Sequence, residues 1–185
     1  DNDADGHQAY EVSVSAVSLE TNNPEVTTLA GSTEGSTDGT GTSAQFNNPS
    51  AVTTDGTNLY VADRDNNRIR KIVISTGVVT TLAGSSQGSA DGTGTSASFN
   101  LPWGIITDGT NLYVADQGNH KIRKIVISTG VVTTLAGSSQ GFTDGTGTFA
   151  SFRNPKGITT DGTNLYVADQ SNHKIRKIVI STGVV

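Results

Sequence analysis

The chain has 185 residues, 33% of them hydrophobic, with 22 glycines, 4 prolines and no cysteine. This composition suits one turn-rich all-β domain and leaves no disulfide framework and no thiol chemistry. No apolar run approaches the ~18 residues of a membrane-spanning helix, so membrane insertion is not expected, and no basic start followed by an apolar stretch marks a signal peptide. The formal net charge of −5 lies wholly in residues 1–25, which carry six acidic residues and no Lys or Arg, while the remainder sets 12 basic residues against 11 acidic ones. A basic face for nucleic acid is therefore not expected.

In chain order, residues 1–25 come first as an acidic leader. Asp1, Asp3, Asp5 and Gly6 match the opening of a calcium loop, in which carboxylates at alternate positions wrap a hard cation. The later positions do not match: Ala9 stands at the ninth, Val12 at the twelfth where a bidentate Glu is wanted, and Glu11 lies one place off. Two readings stand, an acidic solvated terminus and a calcium site. Residues 9–16 then alternate, with Tyr10, Val12, Val14 and Ala16 on one face of an expected strand and Glu11, Ser13 and Ser15 on the other. That strand reads either as the end of a preceding domain or as a donor strand for the sheet edge of a neighbouring subunit. Asn22 to Glu25 read as a linker.

From Val26 onward a unit of 53 residues occurs three times, over 26–78, 79–131 and 132–184. Tandem units of this size build one supersecondary piece each and stack on their neighbours. In the second unit the strand-like runs are Val79 to Ala83, Gly104 to Thr107, Asn111 to Ala115 and Lys121 to Ile127. They are broken by the glycine-rich stretch from Gly84 to Gly94, by Asp108-Gly109-Thr110 and by Asp116-Gln117-Gly118-Asn119. Asp-Gly and Asn/Gly clusters supply the positive φ that tight turns demand. Four antiparallel strands per unit make a β-propeller blade.

The strings Asn58-Leu-Tyr-Val-Ala-Asp63 and Asn66-Asn67-Arg68-Ile69-Arg70-Lys71-Ile72, with Asn119-His120-Lys121-Ile122 and Asn172-His173-Lys174-Ile175 in the later units, resemble the NHL repeat. The approach Phe99 to Ile105 does so too. The resemblance implies a propeller that usually has six blades, so three blades make half a ring. The Gly-Ser-x-x-Gly-x-x-Asp-Gly-Thr-Gly insertion lengthens the unit beyond about 44 residues and is similar to extended repeats of large bacterial and teneurin-like surface proteins. That likeness implies an extracellular or cell-surface location.

The opening run, Val26 to Ala30, corresponds to the strand that ends a blade in the other units, and the chain stops at Val185 where the next such run would begin. The expectation is self-association into a homo-oligomer or polymer by strand exchange, with Val26 and Leu29 on the exchanged strand. The outcome is a closed dimer or a fibre according to symmetry.

Groups that could do chemistry recur with the repeat. Asp116 lies four before His120 and Asp169 four before His173, but Asp63 has Asn67 in that place. A group needed once per ring should break the symmetry, so these side chains are expected to tie down turns, and no catalytic residue is assigned. Metal-dependent lyase activity, known among NHL propellers, would need channel histidines, and here both repeat histidines sit at turn positions. The basic strand residues, such as Arg70, Arg123 and Arg176, are expected to meet Asp63, Asp116 and Asp169 or solvent. The glycine-rich insertions lack the ending of a phosphate loop and read as blade connections.

Positions that vary between units point elsewhere. Ser50, Trp103 and Lys156 are equivalent, as are Asn48, Leu101 and Asn154, and Arg64, Gln117 and Gln170. Trp103, Phe142, Arg153 and Lys156 are the candidates for a glycan or peptide site, because a tryptophan beside Pro102 can stack on a sugar or anchor a peptide. The sequence thus favours a non-catalytic assembly and interaction module without a cofactor, with a glycan- or peptide-binding propeller as the second reading and a lyase as the third.

Overall fold

The computed structural model describes residues 23–185. The expectations for Asp1, Asp3, Asp5, Tyr10, Val12, Val14 and Ala16 lie outside the described residues.

Strand β1 is the two-residue Gly39–Thr40, followed by β2 (Pro49–Thr54), β3 (Asn58–Asp63), β4 (Arg68–Val73) and β5 (Val78–Ala83). They form one antiparallel sheet in the order β1-β5-β4-β3-β2. The second blade repeats it with β6 (Gly92–Thr93), β7 (Pro102–Thr107), β8 (Asn111–Asp116), β9 (Lys121–Val126) and β10 (Val131–Ala136). The third holds β11 (Pro155–Thr160), β12 (Asn164–Asp169) and β13 (Lys174–Val179), with Val184 bridged to Val179 and Thr146 at its outer edge. The first strands of the blades, β2, β7 and β11, pack side by side as the inner wall. Among the described residues no helix is long and apolar enough to cross a membrane.

Two details depart from the sequence reading. Each of the first two blades has a fifth short strand, supplied by the glycine-rich insertion, which folds back and pairs with the outer strand (Gly39 opposite Val79, Gly92 opposite Val132). The insertion is thus a blade connection that also covers a sheet edge. Secondly, Val26 to Ala30 is not a strand: Val26 is 96% exposed and the run belongs to no sheet. The same sequence pairs as β5 and β10 because β4 and β9 lie beside it. Among the described residues no such strand lies beside Val26 to Ala30. The end of the run still keeps its place, since Gly31 N–H donates to Gly41 O (3.1 Å) as Gly84 does to Gly94 and Gly137 to Gly147.

Turn chemistry explains why Asp-Gly-Thr-Asn recurs between the second and first strands of each hairpin. The Asp55 carboxylate accepts from the backbone N–H of Thr57 (2.9 Å) and Asn58 (2.7 Å) and from the Tyr60 hydroxyl (2.7 Å). Gly56, at φ +89°, provides the left-handed step that a side chain would resist. Asp108 and Asp161 repeat the arrangement. Burial acts against ionisation of Asp55 and Asp108, but the donated bonds outweigh it and hold both below the usual carboxylate range. The same pairing, after burial, pushes the Tyr60 hydroxyl up to about 12.

The core lies between blades. Tyr60, Ala62, Ile69 and Ala83 from one face of the first blade bury against Phe99, Ile105, Leu112, Val114 and Ile125 of the second. Tyr113, Ala115, Ile122 and Ala136 repeat this against Phe152, Leu165, Val167 and Ile178 of the third. Each fully buried Leu, Ile or Phe contributes about 1.5–3 kcal/mol, so the contacts between blades carry much of the stability.

Candidate functional site

Three kinds of polar feature repeat through this scaffold, and they separate what holds the blades together from what is left to bind. The first is a buried clamp. Arg70, fully buried on β4, donates to Asp63 (2.7 Å), Asp38 (2.6 Å), Gln45 O (2.9 Å) and Thr37 O (3.0 Å), and lies over the Phe46 ring at 5.0 Å. Arg123 and Arg176 hold Asp116 with Asp91, and Asp169 with Asp144, in the same way. The second carboxylate in each clamp comes from the insertion, so the insertion is fastened to the blade it precedes. A buried charge is tolerated only when paired this fully. Burial raises the pKa of Asp116, against the bonds from Asn100 N–H, Asn119 and Arg123.

The second feature is a latch between blades. Asn67, His120 and His173 occupy the left-handed region at φ 54°, 58° and 57°, which Asn and His tolerate well. Asn67 Oδ1 accepts from Leu101 N–H of the next blade (2.9 Å), and His120 Nδ1 from Asn154 N–H (3.2 Å). Burial lowers the His120 pKa, Asp169 opposes this and Arg153 reinforces it, so the neutral ring that can accept is favoured. The Asp116 and His120 spacing is thereby accounted for: the aspartate serves the clamp and the histidine the latch. His173, the third member, lies in a recess with Arg153, Gln170 and Ser171 at the end of the stack.

The third feature is a row along the start of the inner strands, and here the repeats differ. Ser50 Oγ donates to the neighbouring inner strand, with Trp103 O at 2.8 Å. Trp103, half-buried, has the Lys156 ammonium 4.0 Å and the Arg64 guanidinium 4.9 Å from its ring centroid. The four candidate residues do not form one site. Trp103 and Lys156 meet, Arg153 lies with the His173 recess, and Phe142, 67% exposed, sits apart under Lys174 at 5.3 Å. Arg64, absent from that set, completes the Trp103 cluster. Its equivalence to the variable Gln117 and Gln170 was the available signal.

No family model matches the chain. It is 35% identical to human NHL repeat-containing protein 2 over 141 residues, 69% of this chain and 19% of that protein. It is also 35% identical over 137 residues to the Arabidopsis thaliana protein SUPPRESSOR OF QUENCHING 1, chloroplastic, covering 67% of this chain and 13% of that one. The chain belongs to the NHL-repeat family. An auxiliary nutrient binding protein of Bacteroides ovatus superposes with a TM-score of 0.57 at 28% identity, over 66% of this chain and 34% of its own. The NHL segment thus spans about a fifth or less of the curated relatives it matches, and about a third of that solved structure. Its sheets do not close into a ring, and it supplies three successive blades of a β-propeller.

Proposed function

We propose that the NHL segment is a non-catalytic interaction module that assembles through the two ends of its blade stack. One observation carries this reading: the end faces are the two halves of an interface the molecule already makes twice. The outward face of the third blade presents Tyr166 (36% exposed) and Ile175 (75% exposed), the equivalents of the buried Tyr60 and Ile69. The outward face of the first blade is an apolar groove lined by Leu29, Phe46, Val52, Leu59, Val61 and Ile72, the last four being equivalents of Ile105, Leu112, Val114 and Ile125. His173 is placed to accept from the N–H of Asn48 in a second copy, as His120 accepts from Asn154.

Docking the third blade of one copy on the first blade of another repeats a packed contact and covers the exposed Val52 and Ile175. Trading Val26 to Ala30 is not needed, although that run would come to lie beside β13 of the second copy and gain a partner that it lacks among the described residues. The absence of catalysis is read from the carboxylates and imidazole that the sequence offers: Asp63, Asp116 and Asp169 are committed to clamps and His120 to a latch.

Light scattering during size-exclusion chromatography tests the reading. The expected mass is twice the 19.1 kDa of the chain, falling to one chain in Ile175→Lys with unchanged circular dichroism. A wild-type chain that stays monomeric at high concentration would contradict it.

A further inference from the structure

We propose that the Trp103 cluster is a docking site for an acidic peptide segment, with Arg64 and Lys156, held on the Trp103 ring, receiving its carboxylates. The inference rests on a local break in the repeat. In the first blade the left-handed residue before β2 is Asn48 (φ 49°), whose amide donates to Asp65 (2.6 Å). In the third it is Asn154 (φ 54°), which donates to Ser171 (3.0 Å). The second blade has Leu101 at φ 53° and Gly118 in place of the acceptor. A leucine held in a conformation that suits Asn or Gly is strained, and such strain gathers at binding sites. The blade has given up a turn-stabilising bond and taken on strain at the rim that also carries the chain's single tryptophan.

The surrounding groups select the ligand. Lys156 has no carboxylate partner among the described residues, and Arg64 reaches only Asp65 (3.0 Å). The Arg64 Nε and Gln117 Oε1 atoms, at equivalent positions of the first and second blades, are buried without a hydrogen-bond partner. The row therefore offers two cations about one aromatic ring, with polar groups unspent. A neutral sugar binds tryptophan by laying a C–H face on the ring, but here the ring already carries a guanidinium and an ammonium. A nucleic acid would need a longer basic track than this near-neutral surface offers. A carboxylate satisfies both cations through charge-assisted bonds while leaving them on the ring.

Trp103 reports directly on this site, since all tryptophan emission comes from it. The probe is a blocked Glu-Leu-Glu-Leu-Glu peptide titrated into the Ile175→Lys variant, so that assembly does not contribute, with the glutamine-for-glutamate peptide, polyuridylate and polygalacturonate as parallel arms. The expected result is a saturable change in emission with the acidic peptide alone, weakening with salt. Affinity should fall about tenfold in Lys156→Met, and by a similar factor in Arg64→Gln, as expected for loss of one charged hydrogen-bond partner. Lys177→Gln, which leaves the cluster untouched, should bind as before. No saturable change, an equal response to the glutamine peptide, or a stronger response to either polymer would overturn the proposal. So would unchanged affinity in both cluster variants with the fold intact.

Discussion

The buried clamp and the inner-strand row occupy the same three blades, yet one is copied without change and the other differs at every turn. Arg70, Arg123 and Arg176 hold the same pair of aspartates through the same atoms, whereas Ser50, Trp103 and Lys156 make a backbone latch, an aromatic platform and an unpaired cation from one repeat position. A group required by every blade stays fixed. A position free of that requirement can take on a task that only one blade performs.

The contrast can be broken from the clamp side with the largest effect. Arg123→Met leaves Asp116 buried without its cation and should cost about 3–5 kcal/mol in chemical denaturation, because an orphaned buried charge is far more costly than a lost surface pair. Lys156→Met, at the half-exposed row, should shift stability by no more than about 0.5 kcal/mol. Equal losses in the two variants would end the division between scaffold and row.

A smaller effect sharpens the comparison within one strand position. A methyl group at Gly104 would run into the carbonyl oxygen of Lys156, a backbone atom that cannot step aside, while one at Gly157 would meet only the Ala168 methyl at an ordinary 3.6 Å. Gly104→Ala should therefore lower stability by about 1–3 kcal/mol through overpacking, and Gly157→Ala should lower it less. Thermal melts of the two variants decide it. Ala51 occupies the same position in the first blade.

The smallest effects are in pH. Asp55 and Asp108 are depressed in the folded state, so their contribution is present above the unfolded carboxylate value of about 3.9 and is lost as pH falls through the folded values. Tyr60, raised to about 12, contributes below the unfolded value of about 10, and that contribution is lost as pH rises between the two. Denaturation midpoints should thus fall below pH about 4 and again above about 10. The acid loss should be reduced in Asp108→Asn.

Much of the blade was legible because its signals are local and occur three times. Asp-Gly-Thr-Asn marks a turn by its own hydrogen bonds, and the alternation around Lys121 to Ile127 marks a strand. The pairing of Asp116 with Arg123 lay within reach too, since it joins adjacent strands of a hairpin. What could not be read was any contact closed over a longer span. Asp91 lies 32 residues from Arg123, and nothing local in the glycine-rich insertion announces that it returns to cap the blade. The Val26 to Ala30 run shows the converse: identical residues form strands beside β4 and β9, and none where the described residues place no such neighbour. The Trp103 cluster draws Arg64, Trp103 and Lys156 from three successive blades, so only the stacking of blades could bring it together.

The central claim is that the two end faces of the stack are one interface divided between copies. Because the chain lacks cysteine, a Val52→Cys variant and an Ile175→Cys variant can be mixed and treated with a short bis-maleimide reagent. The account predicts a covalent dimer in the mixture and none in either variant alone. A crosslink in Ile175→Cys by itself, or none in the mixture, would contradict it.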